Sequence, residues 1–263
     1  MWERFSLKKI ALLGAGTENV SLIPFFEKAG ATVTIFERQP SDRIPKGAET
    51  VSGDDYLAKL EGYDYAFRSP GFPLKVVQQA VEKLNQKPEI TSAMNLLLEI
   101  LPGVTIGVTG TKGKGTTATM IGTILKTAGK KNLVAGNIGE STFSHLDEID
   151  KNFITILELS SFQLEDLTRS PHIAVLLAIT SDHLQPLSES SPNYHQSFED
   201  YVEAKGQITH FQTADDFLVY VYDNDAAHSL AEKSQAQAFG ISNSSGQASY
   251  LITDQGWLMK DSK

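Results

Sequence analysis

The 263 residues suffice for two compact domains, and a hydrophobic share of 41% suits cores of ordinary size. With 32 acidic against 23 basic residues, a formal net charge of -9 and a pI near 5.2, a general electrostatic hold on nucleic acid is disfavoured and only a local basic site is left open. The absence of cysteine excludes disulfides, thiolate zinc sites and cysteine nucleophiles.

Met1 to Ser6 leads into an apolar run of strand length, not into a signal sequence, and no stretch approaches the roughly 18 apolar residues of a membrane helix. The expectation is a cytoplasmic α/β protein, monomeric, without nucleic-acid partners or membrane insertion. Lys9 to Leu13 reads as a strand ending in Gly14-Ala15-Gly16; Val20 to Ala29 has helical spacing, and Thr32 to Phe36 is a second β-branched run. This is a βαβ unit. Tyr63 to Phe67 predicts a further strand, closed by Ser69-Pro70-Gly71-Phe72-Pro73, before a helix over Leu74 to Leu84. Strands alternating with helices imply a parallel sheet with its ligands at the strands' carboxyl ends. The first domain is expected to span residues 1–92, Rossmann-like, and the second 93–263, a P-loop-type α/β domain incomplete at its C-terminal end.

The second series opens with a helix over Ser92 to Ile100 and a strand over Thr105 to Val108, which runs into Gly110-Thr111-Lys112-Gly113-Lys114-Gly115-Thr116-Thr117 and a helix to Ala128. Phe153 to Leu157, Ile173 to Ile179 and Phe217 to Tyr222 predict buried strands ending where polar residues cluster, and Phe198 to Thr209 has helical spacing. Leu187 to Asn193 reads as a surface loop, Ser234 to Ala248 as a weak hairpin approach, and Tyr250 to Lys263 as half a hairpin. No internal repeat of solenoid period is present.

The strongest chemical signal is Gly110 to Thr117. A strand, a glycine loop with lysine and a helix opening on threonines form a phosphate cradle: backbone N–H groups and the helix N-terminus favour anions, Lys114 can neutralise the β and γ phosphates, and the Thr116 hydroxyl can ligate magnesium. The loop departs from the common pattern, with Val108 at the usual first glycine position and Gly115 before Thr116. A glycine-rich surface turn is the plain alternative. In the first domain, Gly14-Ala15-Gly16-Thr17-Glu18-Asn19 approximates a dinucleotide fingerprint, with Asn19 at the third glycine position and Glu37 closing the second strand. Taken alone it is equally a ligand-free βα turn.

The loop Gly110 to Thr117 resembles the ATP loop of the Mur ligase and folylpolyglutamate synthase superfamily. Gly136-Asn137-Ile138-Gly139, Glu158-Leu159-Ser160-Ser161-Phe162-Gln163-Leu164, Asp182-His183-Leu184 and Glu203-Ala204-Lys205 follow in the family's order. With Ser69-Pro70-Gly71, the set is most similar to the branch that adds D-glutamate to UDP-N-acetylmuramoyl-L-alanine in peptidoglycan synthesis. The resemblance implies an ATP-dependent carboxylate–amine ligase working through an acyl phosphate, with ATP at Gly110 to Thr117 and Asn137. It implies two Mg2+ sites drawn from Thr116, Glu158, His183 and a carbamylated Lys205, and catalytic roles for Lys114, Glu158, His183 and Lys205. It also implies the UDP-substrate near Ala15, Gly16, Thr17, Glu37, Arg38, Ser69, Pro70, Gly71, Asn137, Ser160 and Gln163. Composition and periodicity alone would read Lys205 as a solvated helical lysine, Arg38 as a surface charge, Glu158 as a strand-end acid, His183 as a loop histidine, Asn137 as a turn residue, and Ser160 and Ser161 as helix caps.

Departures are visible. Ala178-Ile179 stands where the family has asparagine before isoleucine, Gln185-Pro186-Leu187 replaces its Asp-x-His, and Lys112 takes a position where asparagine is frequent. Family members carry a third, Rossmann-like domain for the incoming amino acid, which has no counterpart here, as has the central domain's own asparagine motif. The expectation for the chain alone is retained UDP-substrate affinity, weak ATP binding and little ligation. Three rivals stand beside this reading: a non-catalytic nucleotide-binding module, a folylpolyglutamate synthase-like ligase, and an NAD-dependent oxidoreductase, the last of which leaves Lys114, Glu158, His183 and Lys205 without roles.

Overall fold

A computed structural model describes residues 2–137, 142–182, 184, 193–244, 248–252 and 258–260. They form two units. The first comprises the described residues of Met1–Ile100, Phe143–Asp147 and Gln185–Tyr194; the second, those of Leu101–Thr142, Glu148–Leu184 and His195–Lys263.

The first unit is built on a five-stranded, wholly parallel sheet in the order β3-β2-β1-β4-β5, with β1 at Lys9–Leu13, β2 at Thr32–Phe36, β3 at Glu49–Val51, β4 at Tyr65–Arg68 and β5 at Glu89–Ser92. Ile10, Ala11, Leu12 and Leu13 are all fully buried, because helices cover both faces of a parallel sheet and apolar alternation disappears from its central strand. The helix α1 (Thr17–Lys28) presents Leu22, Phe25 and Phe26 to one face, where they meet Phe5, Phe67, Leu96 and Ile100. Phe5 and Phe26 meet edge-on at 5.0 Å, as do Phe26 and Phe67. The helix α2 (Leu74–Val81) turns Val77 and Val81 toward Ala11, Leu13 and Ala66 on the other face. Two short strands, β3 and β5, lack a readable apolar alternation; their pairing to a preformed neighbour makes them strands. The helix α3 (Ala93–Ile100), which its sequence sets at the head of the second series, packs Ala93, Leu96 and Ile100 into the first unit's core.

The second unit has an eight-stranded sheet in the order β13-β12-β11-β10-β9-β6-β8-β7, parallel except for its last pair. Its centre is β6 (Val104–Thr109), flanked by β8 (Ile154–Glu158) and β9 (Ile173–Leu176). The helix α4 (Lys114–Thr127) leads to β7 (Asn132–Gly136) at the far edge, and α6 (Phe198–His210) precedes β10 (Phe217–Val221). A short α5 (Ser161–Leu164) follows β8, and α7 (Asp225–Lys233) precedes β11 (Gln237–Ser242), which pairs in parallel with β10. The weak hairpin expected over Ser234 to Ala248 is therefore corrected: five consecutive pairings from Phe217↔Gln237 to Val221↔Ile241 make β11 a crossover strand. Beyond it, β12 (Tyr250–Ile252) and β13 (Leu258–Lys260) form an antiparallel pair.

In both sheets the chain leaves the first strand in one direction and later returns to that strand's other side: β4 lies beside β1, and β9 beside β6. Such reversals open a crevice at the strands' carboxyl ends. At the first of them, Asn19 takes the role a third glycine would play. Its Nδ2 donates to the carbonyls of Leu13 and Gly14 at 3.1 Å and of Phe67 at 3.0 Å, so α1 is tied to the ends of β1 and β4 by one fully buried amide. Replacing it strands buried carbonyls. Asn19→Ala is expected to cost about 2 to 3 kcal/mol in urea unfolding; a loss within 0.5 kcal/mol, on the order of an ordinary surface substitution, would show that water replaces the amide.

Candidate functional site at the carboxyl edge

The loop after β6 is shaped by close approach. Gly110 has φ 146° and a Cβ there would sit 2.5 Å from the Leu177 Cβ, while Gly113, at φ 84°, occupies the N-cap of α4 in the left-handed region. The loop is also latched. Thr111 N–H donates to the Ala178 carbonyl (2.9 Å), its hydroxyl donates to the Thr180 carbonyl (3.0 Å), and it accepts from the Thr180 N–H (2.8 Å). Lys114, on the first turn of α4, folds its Nζ back onto the carbonyls of Gly110 (3.2 Å) and Thr111 (3.0 Å). A cation held by loop carbonyls beside a helix N-terminus is placed to exchange those weak acceptors for an anion. Lys112 and Thr116 are exposed and Thr117 and Gly115 partly so.

Glu158 ends β8, next to the loop's parent strand, with which Val108 is in register. Its side chain is buried and its Oε2 has no hydrogen-bond partner among the described residues. Gly136 at the end of β7 has φ 106° and lies so close to the Glu158 backbone that no Cβ fits; Asn137 N–H then donates to the Glu158 carbonyl (2.9 Å).

Lys205, on α6, is only 1% exposed. Its Nζ reaches the Thr109 hydroxyl at 3.4 Å and lies 4.6 Å from the centre of the Tyr201 ring, one helical turn away on the same face. Burial, aided by the nearby Lys114 charge and opposed by Asp182 and Glu158, pushes the amine down from its ordinary 10.5 to about 7. Tyr201 donates from its hydroxyl to the Thr111 hydroxyl at 3.3 Å, and burial raises its phenol above its ordinary range. The Thr109 hydroxyl donates to the Leu159 carbonyl at 2.8 Å. The ends of β6 and β8 and the inner face of α6 thus share one polar network.

Other expected positions resolve differently. Ser160 and Gln163 form a reciprocal cap on α5: the Ser160 hydroxyl accepts from Gln163 N–H (3.3 Å) and the Gln163 side-chain Oε1 from Ser160 N–H (2.7 Å), as helix capping predicts. His183 lies outside the described residues, as do Ile138 and Gly139. Among the described residues no group of three or more His, Asp or Glu is gathered as a metal site. In the first unit, Ala15 N–H donates to Glu37 Oε1 (2.6 Å), and Glu37 Oε2 is buried without a partner among the described residues. A Cβ on Gly16 would lie 2.6 Å from the Ser69 hydroxyl, so the turns Ala15–Thr17 and Ser69–Gly71 meet. The Asn193 amide donates to the Pro70 carbonyl at 2.8 Å. Arg38 is turned outward onto Asp54 (Nε to Oδ1, 2.9 Å), an exposed pair.

Two participants escape a reading by motif. Tyr201 precedes Lys205 by four residues, and that spacing is the signal that could have found it. Asn224 caps α7 and clasps Ile179 with both ends of its amide, accepting from Ile179 N–H and donating to Ile179 O, each at 3.1 Å; it thereby fixes the segment that leads to Asp182.

Residues 108–256 match the model of the Mur ligase middle domain. A UDP-N-acetylmuramoylalanine--D-glutamate ligase of Acetivibrio thermocellus is 33% identical over 262 residues, 97% of this chain and 53% of that protein. One from Clostridium botulinum (strain Loch Maree) is 32% identical over 270 residues, 97% and 57% respectively. The chain thus spans about half the length of these curated relatives. Among solved structures, the UDP-N-acetylmuramate:L-alanyl-gamma-D-glutamyl-meso-diaminopimelate ligase from Neisseria meningitides superposes with a TM-score of 0.60 at 16% identity, covering 98% of this chain and 86% of that one, a likeness of fold. With the middle-domain pattern matched over more than half of its residues, the chain belongs to the Mur ligase family.

Proposed function

We propose that this chain holds the uridine-nucleotide-binding and ATP-binding parts of a cytoplasmic ligase that joins D-glutamate to UDP-N-acetylmuramoyl-L-alanine. The observation that carries the reading is the gathering of the Gly110–Thr117 loop with Lys114, a Glu158 carboxylate oxygen unpartnered among the described residues and the buried Lys205 at the carboxyl edge of one sheet. The names of the relatives supply the amino acid and the acceptor. The division of the chain into two nucleotide-type domains, expected at 92/93, is part of the same proposal, with α3 packed into the first unit.

When bound, ATP supplies the phosphoryl group that activates the substrate carboxylate as an acyl phosphate, and Mg2+ offsets the triphosphate charge. The residues present fit both. Backbone N–H groups of the Gly110 to Thr117 loop cradle phosphate oxygens, apart from those of Thr111 and Thr117, which are bonded to the Ala178 and Gly113 carbonyls, with Asn137 beside them, and Lys114 leaves its two carbonyls for the phosphates. Glu158, with a lone carboxylate oxygen, and the Thr116 hydroxyl are hard donors suited to Mg2+, and His183 is assigned to the second metal position. A near-neutral Lys205 amine can attack CO2, forming an N–C bond and releasing a proton, and the resulting carbamate adds anionic oxygens opposite Lys114. In the first unit, Glu37 Oε2, unpartnered among the described residues, accepts from a donor such as the uracil N–H, while Ala15, Gly16, Thr17 and Ser69–Gly71 let backbone approach the nucleotide. Arg38 reaches that edge by leaving Asp54, and Ser160 and Gln163 hold the strand-to-helix turn near the muramoyl group.

Calorimetry tests the substrate reading: UDP-N-acetylmuramoyl-L-alanine is expected to bind selectively over UDP and NAD, and a preference for NAD would overturn it. Lys114→Met is expected to weaken MgATP binding about 10- to 100-fold, the loss of a charge-assisted contact; unchanged affinity would remove the lysine from the phosphate site. Lys205 gives a pH test. Its folded pKa of about 7 lies below the unfolded 10.5, so between those values the unfolded chain binds the extra proton and stability rises with pH. In CO2-free buffer the wild type is therefore expected to gain a few kcal/mol, to order of magnitude, over Lys205→Met from about pH 7 to about pH 10. Parallel stability curves for the two proteins would show the amine to be solvated.

A further inference from the structure

Gln185-Pro186-Leu187 stands where a second histidine is expected after Asp182, but a histidine does follow ten residues after Gln185, at 195, before Lys205. His195 is buried, 4% exposed, two residues before the Ser197 cap of α6. Its ring lies flat on Phe162, 4.9 Å between centroids and 6° between planes, and tilts against Tyr201 at 5.2 Å. Its Nε2 is 2.9 Å from the Ser161 hydroxyl and its Nδ1 3.8 Å from Glu165 Oε1. A serine, a histidine and a carboxylate in this order suggest a hydrolase triad, but Ser161 is 2% exposed in the first turn of α5, so no substrate reaches its hydroxyl. The arrangement has to act on the protein itself.

Its position says on what. Ser161, Phe162 and Glu165 belong to the turn that begins two residues after Glu158; Tyr201 belongs to α6. His195 is the ring that fills the space between them, with its polar edges anchored on the α5 side and its face and edge on Phe162 and Tyr201. Tyr201 in turn hydrogen-bonds Thr111 in the phosphate loop and underlies Lys205. The imidazole packs against the Tyr201 ring at 5.2 Å between centroids, so its removal opens space beside that ring.

We infer that His195 is a positioning residue that holds Tyr201 against Thr111 and so sets the phosphate loop from the α5 side. Its consequence for nucleotide binding rests on the ATP reading above; its consequence for the loop does not. A phenyl ring would keep the stack on Phe162 but lose the anchor to Ser161, and an amide would keep a bond to Ser161 but lose the stack, so both ring and anchor are tested separately.

The experiment uses the full chain as His195→Ala, His195→Phe, His195→Gln and Tyr201→Phe, with amide hydrogen exchange read by mass spectrometry in the absence of nucleotide and MgATP affinity read by calorimetry. His195→Ala is expected to speed exchange at least about fivefold in the segment covering Thr109 to Lys114, where the Thr111 N–H is bonded, as well as around residues 160–166. It should also weaken MgATP about tenfold, with the His195→Ala/Tyr201→Phe double variant no weaker than the stronger single loss. Faster exchange confined to residues 160–166 and 195–205, with Thr109 to Lys114 unchanged, would overturn the inference and leave His195 a local packing residue. If His195→Ala does not fold, the Phe and Gln variants decide by the same two segments. Absence of MgATP binding by the wild type would sink the ATP reading, while the exchange pattern would still decide the role of His195.

Discussion

Backbone proximity at the carboxyl edge of the second sheet is the constraint from which the site follows. Gly110 passes Leu177 and Gly136 passes Glu158 so closely that a β-carbon at either position has no room, and both glycines hold positive φ. The parallel strands β6, β8 and β9 end side by side there, and their exits must diverge without side chains in the way. That closeness brings Thr111 within reach of the backbone at Ala178 and Thr180, and brings Lys114, Glu158 and Thr109 to a common edge. Packing density at the strand ends thus determines which polar groups meet.

The same geometric logic operates in the first unit with a different residue. A dinucleotide-type turn uses a third glycine so that helix and strand pack closely, whereas here Asn19 fills the position and replaces close packing with hydrogen bonds to three strand-end carbonyls. Glu37 adds a carboxylate on the Ala15 N–H. An anion seeking that N–H must compete with a carboxylate already bonded to it, which favours recognition of a ligand's donor groups at this turn over its phosphates.

Much of this was legible in the sequence, for a physical reason. β1 reads as a strand because a buried parallel strand is a continuous apolar run, β2 and β10 because their branched and aromatic residues suit a pleated strand, and the loop Gly110 to Thr117 reads as a phosphate cradle because its glycines and lysine have few other uses at a strand end. β3 and β5 were not legible: three or four residues carry no period, and they become strands only by pairing with β2 and β4. β11 was misread because Gln237 to Ser242 is half exposed and poor in branched residues, so its identity depends on the crossover through α7. Lys205 is the instructive case. Its helix is polar on average and its spacing gives no sign of burial; the depth of the lysine comes from α6 lying over the ends of β6 and β8, which no local pattern encodes.

That depth bears on function through charge. A buried ammonium is costly, and the amine responds by shedding its proton near neutrality, while a few residues away in space Glu158 keeps a carboxylate oxygen without a donor. A fold selected for stability alone would pair the two directly or replace both with apolar side chains of similar volume. Instead the Lys205 Nζ rests on the Thr109 hydroxyl and the Tyr201 ring, and Glu158 Oε2 rests on nothing described. Groups held apart at an energetic cost, beside a lysine-bearing phosphate loop, are satisfied by something that supplies positive charge to one and carries negative charge past the other. A magnesium nucleotide has both properties, which is why this edge of the sheet, more than the glycine loop taken alone, carries the nucleotide reading.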